Sequence, residues 1–229
     1  MSQELQPDNR SEEEKKAAEI FEAGHEVQEK SQKPTEEEES VGPENAEKAK
    51  QEIQTLVDEA IRIKTQAEKL SENVRGVISA LERIKSDLDR RDLTTKAIEP
   101  LLEQTLPWFQ GQLLQLEEKT TEFSTRQSNL QRELDENPGN SQDILNRARA
   151  TKEEATTEIN RIVSAMENYA TDSAGQARGI LRRTESYLGE PADRDSNVYR
   201  NAATMQRMQN EISEAKSSMT DPIGTLQYN

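Results

Sequence analysis

The stretch that decides the fold is AEKAKQEIQTLVDEAIRIKTQAEKLSENVRGVISALERIKSDL, residues 46–88. Its apolar residues recur at alternating intervals of three and four positions without a gap. This alternation is typical of a long α-helix that buries one narrow stripe against other helices. The pattern predicts a helix from about residue 44 to about residue 91. The stripe comprises Ala46, Ala49, Ile53, Leu56, Ala60, Ile63, Ala67, Leu70, Val74, Val77, Leu81, Ile84 and Leu88.

The composition of the 229-residue chain also favours long helices over a compact globule. Hydrophobic residues make up 31%, aromatic residues 3% and charged residues 33%. Soluble domains usually have about 45–50% apolar and about 25% charged residues. A chain this polar is either disordered or forms helices that bury only a thin seam. The periodicity predicts long helices for most of the chain.

Two further helical segments follow the first. One carries an apolar stripe over 109–134 and ends at the turn signal of residues 137–140, Asn-Pro-Gly-Asn. The other covers about 141–188, with a stripe that extends from Ile144 to Tyr187. Proline interrupts helices, so Pro100 and Pro107 predict a bend or a helix-to-helix turn between Arg91 and Pro107. A weaker helix is expected over about 197–216.

The predicted fold is therefore all-α, an elongated antiparallel helical bundle or coiled coil of about three long helices. A parallel oligomer, in which the first helix pairs with copies of itself, stays open as the alternative. Residues 1–43 are expected to form a disordered acidic region in which one short helix is compatible with the sequence. The bundle is assigned to 44–188, a linker and short helix to 189–219, and a flexible tail to 220–229.

Charge argues against several classes of partner. The net charge is −15, and residues 1–43 hold 13 acidic and 5 basic side chains, so the remainder is nearly balanced. Nucleic acids and anionic membranes favour a basic face, so we expect no nucleic acid as partner, and binding to a membrane surface is disfavoured but stays open. No run is apolar enough to span a bilayer, and the N-terminus lacks the pattern of a signal peptide. We expect a soluble protein, cytoplasmic or within a viral or other macromolecular assembly.

The sequence contains no motif for catalysis or cofactor binding. It has no cysteine and one histidine, His25, which disfavours thiolate, zinc and haem sites as well as Ser-His chemistry. No glycine-rich phosphate loop is present. Carboxylates are abundant, and those such as Glu72, with Lys69 and Arg75 three positions away, are typical of solvated helix surfaces. We expect no enzyme activity, no metal and no cofactor.

Three groups of residues are candidates for contact with a protein partner. Leu106, Trp108, Phe109 and Leu113 either fill the end of the bundle or form a partner-binding patch, because Trp is frequent in such anchors. Arg178, Arg182 and Arg183 either pair with a neighbouring helix or bind an acidic partner. Ile223, Leu226 and Tyr228 give the tail the pattern of a docking peptide.

The function that fits these features best is a non-enzymatic structural or assembly protein, such as a scaffold, adaptor or accessory component. It would act through protein–protein contacts of its long helices, and a homo-oligomer is compatible with this role. One alternative is an amphipathic-helix protein that binds lipid surfaces, although its apolar stripe is narrow. Another is an acidic mimic that occupies a nucleic-acid-binding protein, although the interspersed basic residues disfavour it.

Overall fold

The structure, a computed structural model, describes residues 43–88 and 95–220. These residues form four α-helices and no β-strand: α1 (Pro43–Ser86), α2 (Thr95–Glu136), α3 (Ser141–Leu188) and α4 (Asn197–Thr220). A 3₁₀ turn, Pro138–Asn140, joins α2 to α3 where the sequence predicts a turn. The predicted all-α bundle is confirmed, with four packed helices among the described residues rather than about three.

The helices run in alternating directions. The start of α1 meets the end of α2, where Lys50 Nζ lies 2.9 Å from Asp135 Oδ1. The end of α1 meets the start of α4, where Arg200 Nη1 lies 3.5 Å from Asp87 Oδ2. Helices α1 and α3 each pack against both α2 and α4, so α2 and α4 lie on opposite sides. This is the up-down-up-down arrangement of a four-helix bundle.

The stripe of α1 is buried as its periodicity predicts. Every member from Ala49 to Ile84 is buried, and only the two terminal members, Ala46 and Leu88, are half-buried. Thr120 and Gln127 continue the corresponding stripe of α2 and are also buried. The helices are therefore held together by one continuous line of inward positions, most of which are apolar.

Helix α4 corrects the expected three-helix arrangement. The sequence assigns 189–219 to a linker and a weak helix outside the bundle, whereas α4 contributes a full row of core residues. Methionine, whose flexible side chain fills irregular gaps, supplies three of them. The buried residues of α4 are Val198, Asn201, Ala202, Met205, Met208, Ile212 and Met219. Their spacing by three and four is the same signal as in α1, on a shorter segment.

The two prolines lie inside α2 and do not end it. The helix break is instead between Ser86 and Thr95, at the N-terminal edge of the predicted interval. Pro100 and Pro107 are exposed, while Leu101, Leu102, Leu106 and Phe109 around them are buried. Packing of this buried stripe offsets the loss of two helical hydrogen bonds, which is why the prolines do not interrupt the helix.

The bundle changes from four helices to three along its length because α4 has only 24 residues. Its last turn lies beside the middle of α1, where Gln66 Nε2 donates a 3.0 Å hydrogen bond to Ser218 O. We call residues 60–86, 95–123, 159–188 and 197–220 the four-helix half. Residues 46–58, 127–136 and 141–150 form the three-helix end. The predicted acidic region up to residue 42 and the tail 221–229 lie outside the described residues.

Candidate functional site

The structure separates the predicted partner-binding residues of α2. Leu106, Phe109 and Leu113 are 6%, 0% and 2% exposed and belong to the core of the four-helix half. A partner cannot reach these three side chains in the folded bundle, which corrects the prediction of a partner-binding patch for them. Trp108 is half-buried at the edge between α2 and α3 and stays a candidate.

An aromatic group marks this edge. The ring of Trp108 stacks on that of Tyr169 of α3, with centroids 4.1 Å apart and planes inclined by 21°. Phe109 meets both rings edge-on, at 5.1 and 5.6 Å. Such pairs contribute about 0.5–1.5 kcal/mol beyond their buried area. The stack therefore sets the relative orientation of α2 and α3, and it keeps the two helices in contact at this level.

Beyond the stack, toward the start of α2, the interface opens into a groove that we call the α2–α3 groove. Its volume is about 740 Å³. Ala97, Pro100 and Gln104 line one wall, and Gly175 and Gly179 line the other. A Cβ added to either glycine would meet nothing within 4 Å. Helix packing therefore does not require glycine at these positions, and their missing side chains leave one wall of the groove bare.

The groove leads to a second concavity at the end of α3. This one has a volume of about 1120 Å³ and shares Ala97, Ile180 and Arg183 with the groove. Tyr187 and Leu188 line it and are 81% and 55% exposed. The stripe of the third segment predicts that Tyr187 is buried, and the structure corrects this. The end of α3 thus presents two large apolar side chains to solvent beside an open groove.

The α3–α4 connection shapes this second concavity. Helix α3 ends at Gly189, whose φ of +76° is the left-handed conformation that glycine adopts without strain. The Gly189 N–H donates a 2.9 Å hydrogen bond to Glu185 O, and the Ala192 N–H donates one of 3.2 Å to Glu185 Oε1. Residues 190–196 then pass along the concavity to α4. The connection is therefore tied to the last turn of α3.

The predicted arginine cluster lies on this part of α3, but its members do not share one face. Arg183 lines the groove, whereas Arg178 and Arg182 are one turn apart on a neighbouring face, since successive helical residues are rotated by about 100°. All three are exposed. Among the described residues none of them forms an ion pair; Arg178 Nε donates a 3.3 Å hydrogen bond to Ala174 O. The expected pairing with a neighbouring helix is not present in the described part of the chain.

Charged residues elsewhere in the described bundle mostly form ion pairs. Hydrogen bonds from Lys216 and Ser213 hold the pKa of Glu167 below its ordinary value, against a smaller opposing effect of burial. Within residues 43–88 and 95–220, no three His, Cys, Asp or Glu side chains are arranged to hold a metal ion. None of the described helices carries an apolar stretch long enough to cross a bilayer. The tail candidates Ile223, Leu226 and Tyr228 lie outside the described residues.

Comparison with models of known protein families and with curated proteins finds no match. Sequence reasoning identified Trp108 and Arg183 but missed Leu188 and the two glycines. The glycine pair lies four residues apart on α3, and this spacing was the available signal for a bare strip along one helix face.

Proposed function

We propose that this protein is a non-enzymatic structural or assembly protein, a scaffold or adaptor that binds a protein partner at the α2–α3 groove. The observation that carries the proposal is the pair Tyr187 and Leu188, exposed at the open end of the groove. Elsewhere in the described chain, the only large hydrophobic side chains as exposed as these are Ile61 and Leu114, each standing alone. Two adjacent apolar side chains beside a concavity are better suited to contact a partner than isolated ones are.

The side chains around the groove also suggest what kind of partner fits. Tyrosine and arginine are frequent among residues that dominate binding energy, and Arg183 lies between the groove and Tyr187. Because Arg183 has no ion pair in the described residues, a carboxylate of a partner can bind it without displacing an internal one. Glu190, Asp193 and Asp195 also line this concavity. The expected partner segment therefore has an apolar side chain for the Tyr187–Leu188 end and a single carboxylate for Arg183, not a run of acidic residues.

The long helices support the scaffold part of the proposal. Helices α1, α2 and α3 have 44, 42 and 48 residues, and at about 1.5 Å per residue they extend for roughly 60–70 Å. The apolar stripes of these helices are buried inside the bundle, which does not favour a lipid-binding surface. A bundle of this length is suited to hold a bound partner at a distance from other parts of an assembly.

The test compares full-length wild-type protein with three variants. Tyr187→Ala and Arg183→Glu alter the open end of the groove, and Leu114→Ala removes another exposed large hydrophobic side chain elsewhere. Proteins retained from an extract of the source cells are quantified by mass spectrometry, and the retained partner is purified and titrated. Circular dichroism verifies that each variant is folded.

We expect a partner whose dissociation constant rises about tenfold or more for the two groove variants, as for hot-spot residues. Leu114→Ala should bind like the wild type. Equal binding by all four proteins would overturn the assignment to the groove. Flotation of the wild type with anionic vesicles, without any protein partner, would instead support the lipid-surface alternative.

A further inference from the structure

The core of the bundle is divided into two apolar clusters of very different size. The four-helix half contains a cluster of 32 buried residues, and the three-helix end contains one of nine. On α3 no residue between Ala148 and Ile159 is buried, although buried residues recur every three or four positions in the rest of the stretch from Ser141 to Ile180. The apolar stripe is therefore interrupted at one level of the bundle.

Polar side chains occupy this level. Gln127 of α2 is fully buried, and its Nε2 donates a 2.8 Å hydrogen bond to Ala148 O of α3. Lys152 Nζ lies 2.6 Å from Glu59 Oε2 of α1, and these two side chains are only 30% and 15% exposed. Thr156 lies one turn further along α3. We call Glu59, Gln127, Lys152 and Thr156 the polar layer.

The polar layer is incompletely satisfied. Gln127 Oε1 and Thr156 Oγ1 are buried, and neither has a hydrogen-bond partner among the described residues. A buried polar atom without a partner destabilises the folded state relative to an apolar replacement of the same shape. A partner is also lacking, among the described residues, for buried polar atoms of Gln66, Ser71, Thr105, Ser141 and Asn201. The polar layer is distinguished by its position, because it lies where the two apolar clusters are separated on α2 and α3.

The three-helix end combines a small apolar core with ion pairs between its helices. Its nine buried residues include seven large aliphatic side chains and two alanines. Ion pairs bridge the helices at its surface: Arg149 Nε to Glu52 Oε1 at 2.7 Å and Arg147 Nη1 to Glu133 Oε1 at 2.7 Å. Their side chains are 39–52% exposed, so salt weakens them. Helix α4 covers α1 and α3 in the other half, and its described residues, which end at Thr220, do not reach this end.

We propose that the polar layer is an opening joint: the three-helix end separates as one unit while the four-helix half stays folded. Local openings of this kind follow cooperative units with separate free energies. The split core and the polar layer fall at the same level of the bundle, and the described part of α4 ends about two turns away from it, where Ser218 meets Gln66 of α1. Opening exposes the seam residues of the three-helix end, among them Ile53, Leu134 and Ile144. This inference does not depend on the α2–α3 groove, which lies in the other half.

Native-state hydrogen exchange of the full-length protein, read by mass spectrometry, tests the joint. Peptides from 46–58, 127–136 and 141–150 should open together, with protection at least about tenfold lower than in the four-helix half. Protection should change in a step across the polar layer, and 1 M salt should widen the step. A gradual decrease toward the helix ends would indicate fraying alone and would overturn the proposal, as would equal protection in both parts.

The variant Gln127→Leu sharpens the test, because it joins the two apolar clusters and removes the unpaired oxygen. It should raise protection in the three-helix end about tenfold, which corresponds to about 1.4 kcal/mol. The matched control is Thr120→Val, one heptad earlier on the same stripe and inside the four-helix half. The control should leave the three-helix end unchanged. Should Gln127→Leu fail to fold, the wild-type step still decides the proposal.

A second readout uses the single tryptophan. Trp108 lies in the four-helix half, so its fluorescence reports on that half, whereas circular dichroism at 222 nm reports on all helices. In a urea titration of the wild type, the dichroism signal should begin to fall before the fluorescence changes. Coincident transitions, which are the mark of two-state unfolding, would contradict a separately opening end.

Discussion

The four-helix half and the three-helix end share the same α1 seam but bury it in different ways. In the four-helix half, α4 lies against α1 and α3 and adds its own row of methionine and aliphatic side chains to the core. In the three-helix end, charged pairs such as Arg149–Glu52 connect α1 directly to α3. One continuous sequence pattern therefore supports two cross-sections with different amounts of buried apolar surface.

This difference shows that periodicity alone does not set local stability. Seam positions on α1 are equally buried in both parts, for example Ile53 and Leu81, each at 0% exposure. What differs is the number of apolar neighbours, because each additional helix contributes further contacts and removes more surface from water. Four predictions follow the comparison, in order of decreasing effect.

Truncation of Phe109 in the four-helix half should have the largest effect. Phe109 is fully buried and contacts both Trp108 and Tyr169. Phe109→Ala should lower the free energy of unfolding by about 3–5 kcal/mol, as cavity-forming substitutions of Phe do. Urea titration followed by circular dichroism measures the loss. Leu114→Ala, at an exposed position of the same helix, should stay within about 0.5 kcal/mol of the wild type; an equal loss for both would refute the core assignment.

Truncation of a core side chain in the three-helix end should destabilise mainly that end of the bundle. Leu134 is 3% exposed in the small cluster, so Leu134→Ala should cost about 2–4 kcal/mol there. Hydrogen exchange should accelerate in peptides from 127–150, while the urea midpoint of Trp108 fluorescence should hardly move. A fall of that midpoint as large as for Phe109→Ala would mean that the two parts unfold as one.

The sequence predicted α1 well because its stripe has no competing signal. Alternation by three and four is a local property of the chain, and burial from Ala49 to Ile84 follows from it directly. The prolines of α2 were misleading for the opposite reason. Each proline destabilises the helix locally, but the packing of neighbours such as Leu102 and Phe109 outweighs this cost, and that packing depends on other helices.

The groove could not be predicted, because it depends on how far one helix extends past another. Trp108 pairs with Tyr169, and α2 begins thirteen residues before Trp108 whereas Tyr187 is eighteen residues after Tyr169. In an antiparallel pair Tyr187 therefore lies beyond the first residue of α2, where α2 no longer shields it from solvent. The stripe predicts which face Tyr187 occupies, while the register of α2 against α3 determines its exposure.

Alanine at two glycine positions should increase stability by a smaller amount. A Cβ at Gly76 or Gly175 meets nothing within 4 Å. Glycine within a helix costs about 0.5–1 kcal/mol relative to alanine, so Gly76→Ala and Gly175→Ala should each stabilise the four-helix half by that amount in urea titrations. The two variants should differ in binding, because only Gly175 lines the α2–α3 groove. Destabilisation by either variant would show an undetected close contact.

The smallest effect concerns the ion pair that holds α4 to α3. Lys216 Nζ lies 2.6 Å from Glu167 Oε2, and the pKa of Glu167 is lowered, mainly by this hydrogen bond. A carboxyl whose pKa is lower in the folded state stabilises the protein at pH values above its ordinary 4.5 and loses that contribution as pH falls through the lowered pKa. Acidification from pH 6 to pH 3 should therefore weaken the attachment of α4.

The variant Glu167→Gln isolates this contribution, because it keeps the shape of the side chain and removes the charge. At pH 6 it should be less stable than the wild type by about 1 kcal/mol or less, as for partly exposed pairs, and the difference should shrink as the pH falls through the lowered pKa of Glu167. Thermal unfolding followed by circular dichroism at each pH measures it. The side chains of Glu167 and Lys216 are 26% and 34% exposed. Those of Arg149 and Glu52 are more exposed, at 52% and 43%. Salt should therefore weaken the Glu167–Lys216 pair less than the Arg149–Glu52 pair. A difference between wild type and variant that grows toward acid would contradict the lowered pKa and the role of this pair in holding α4.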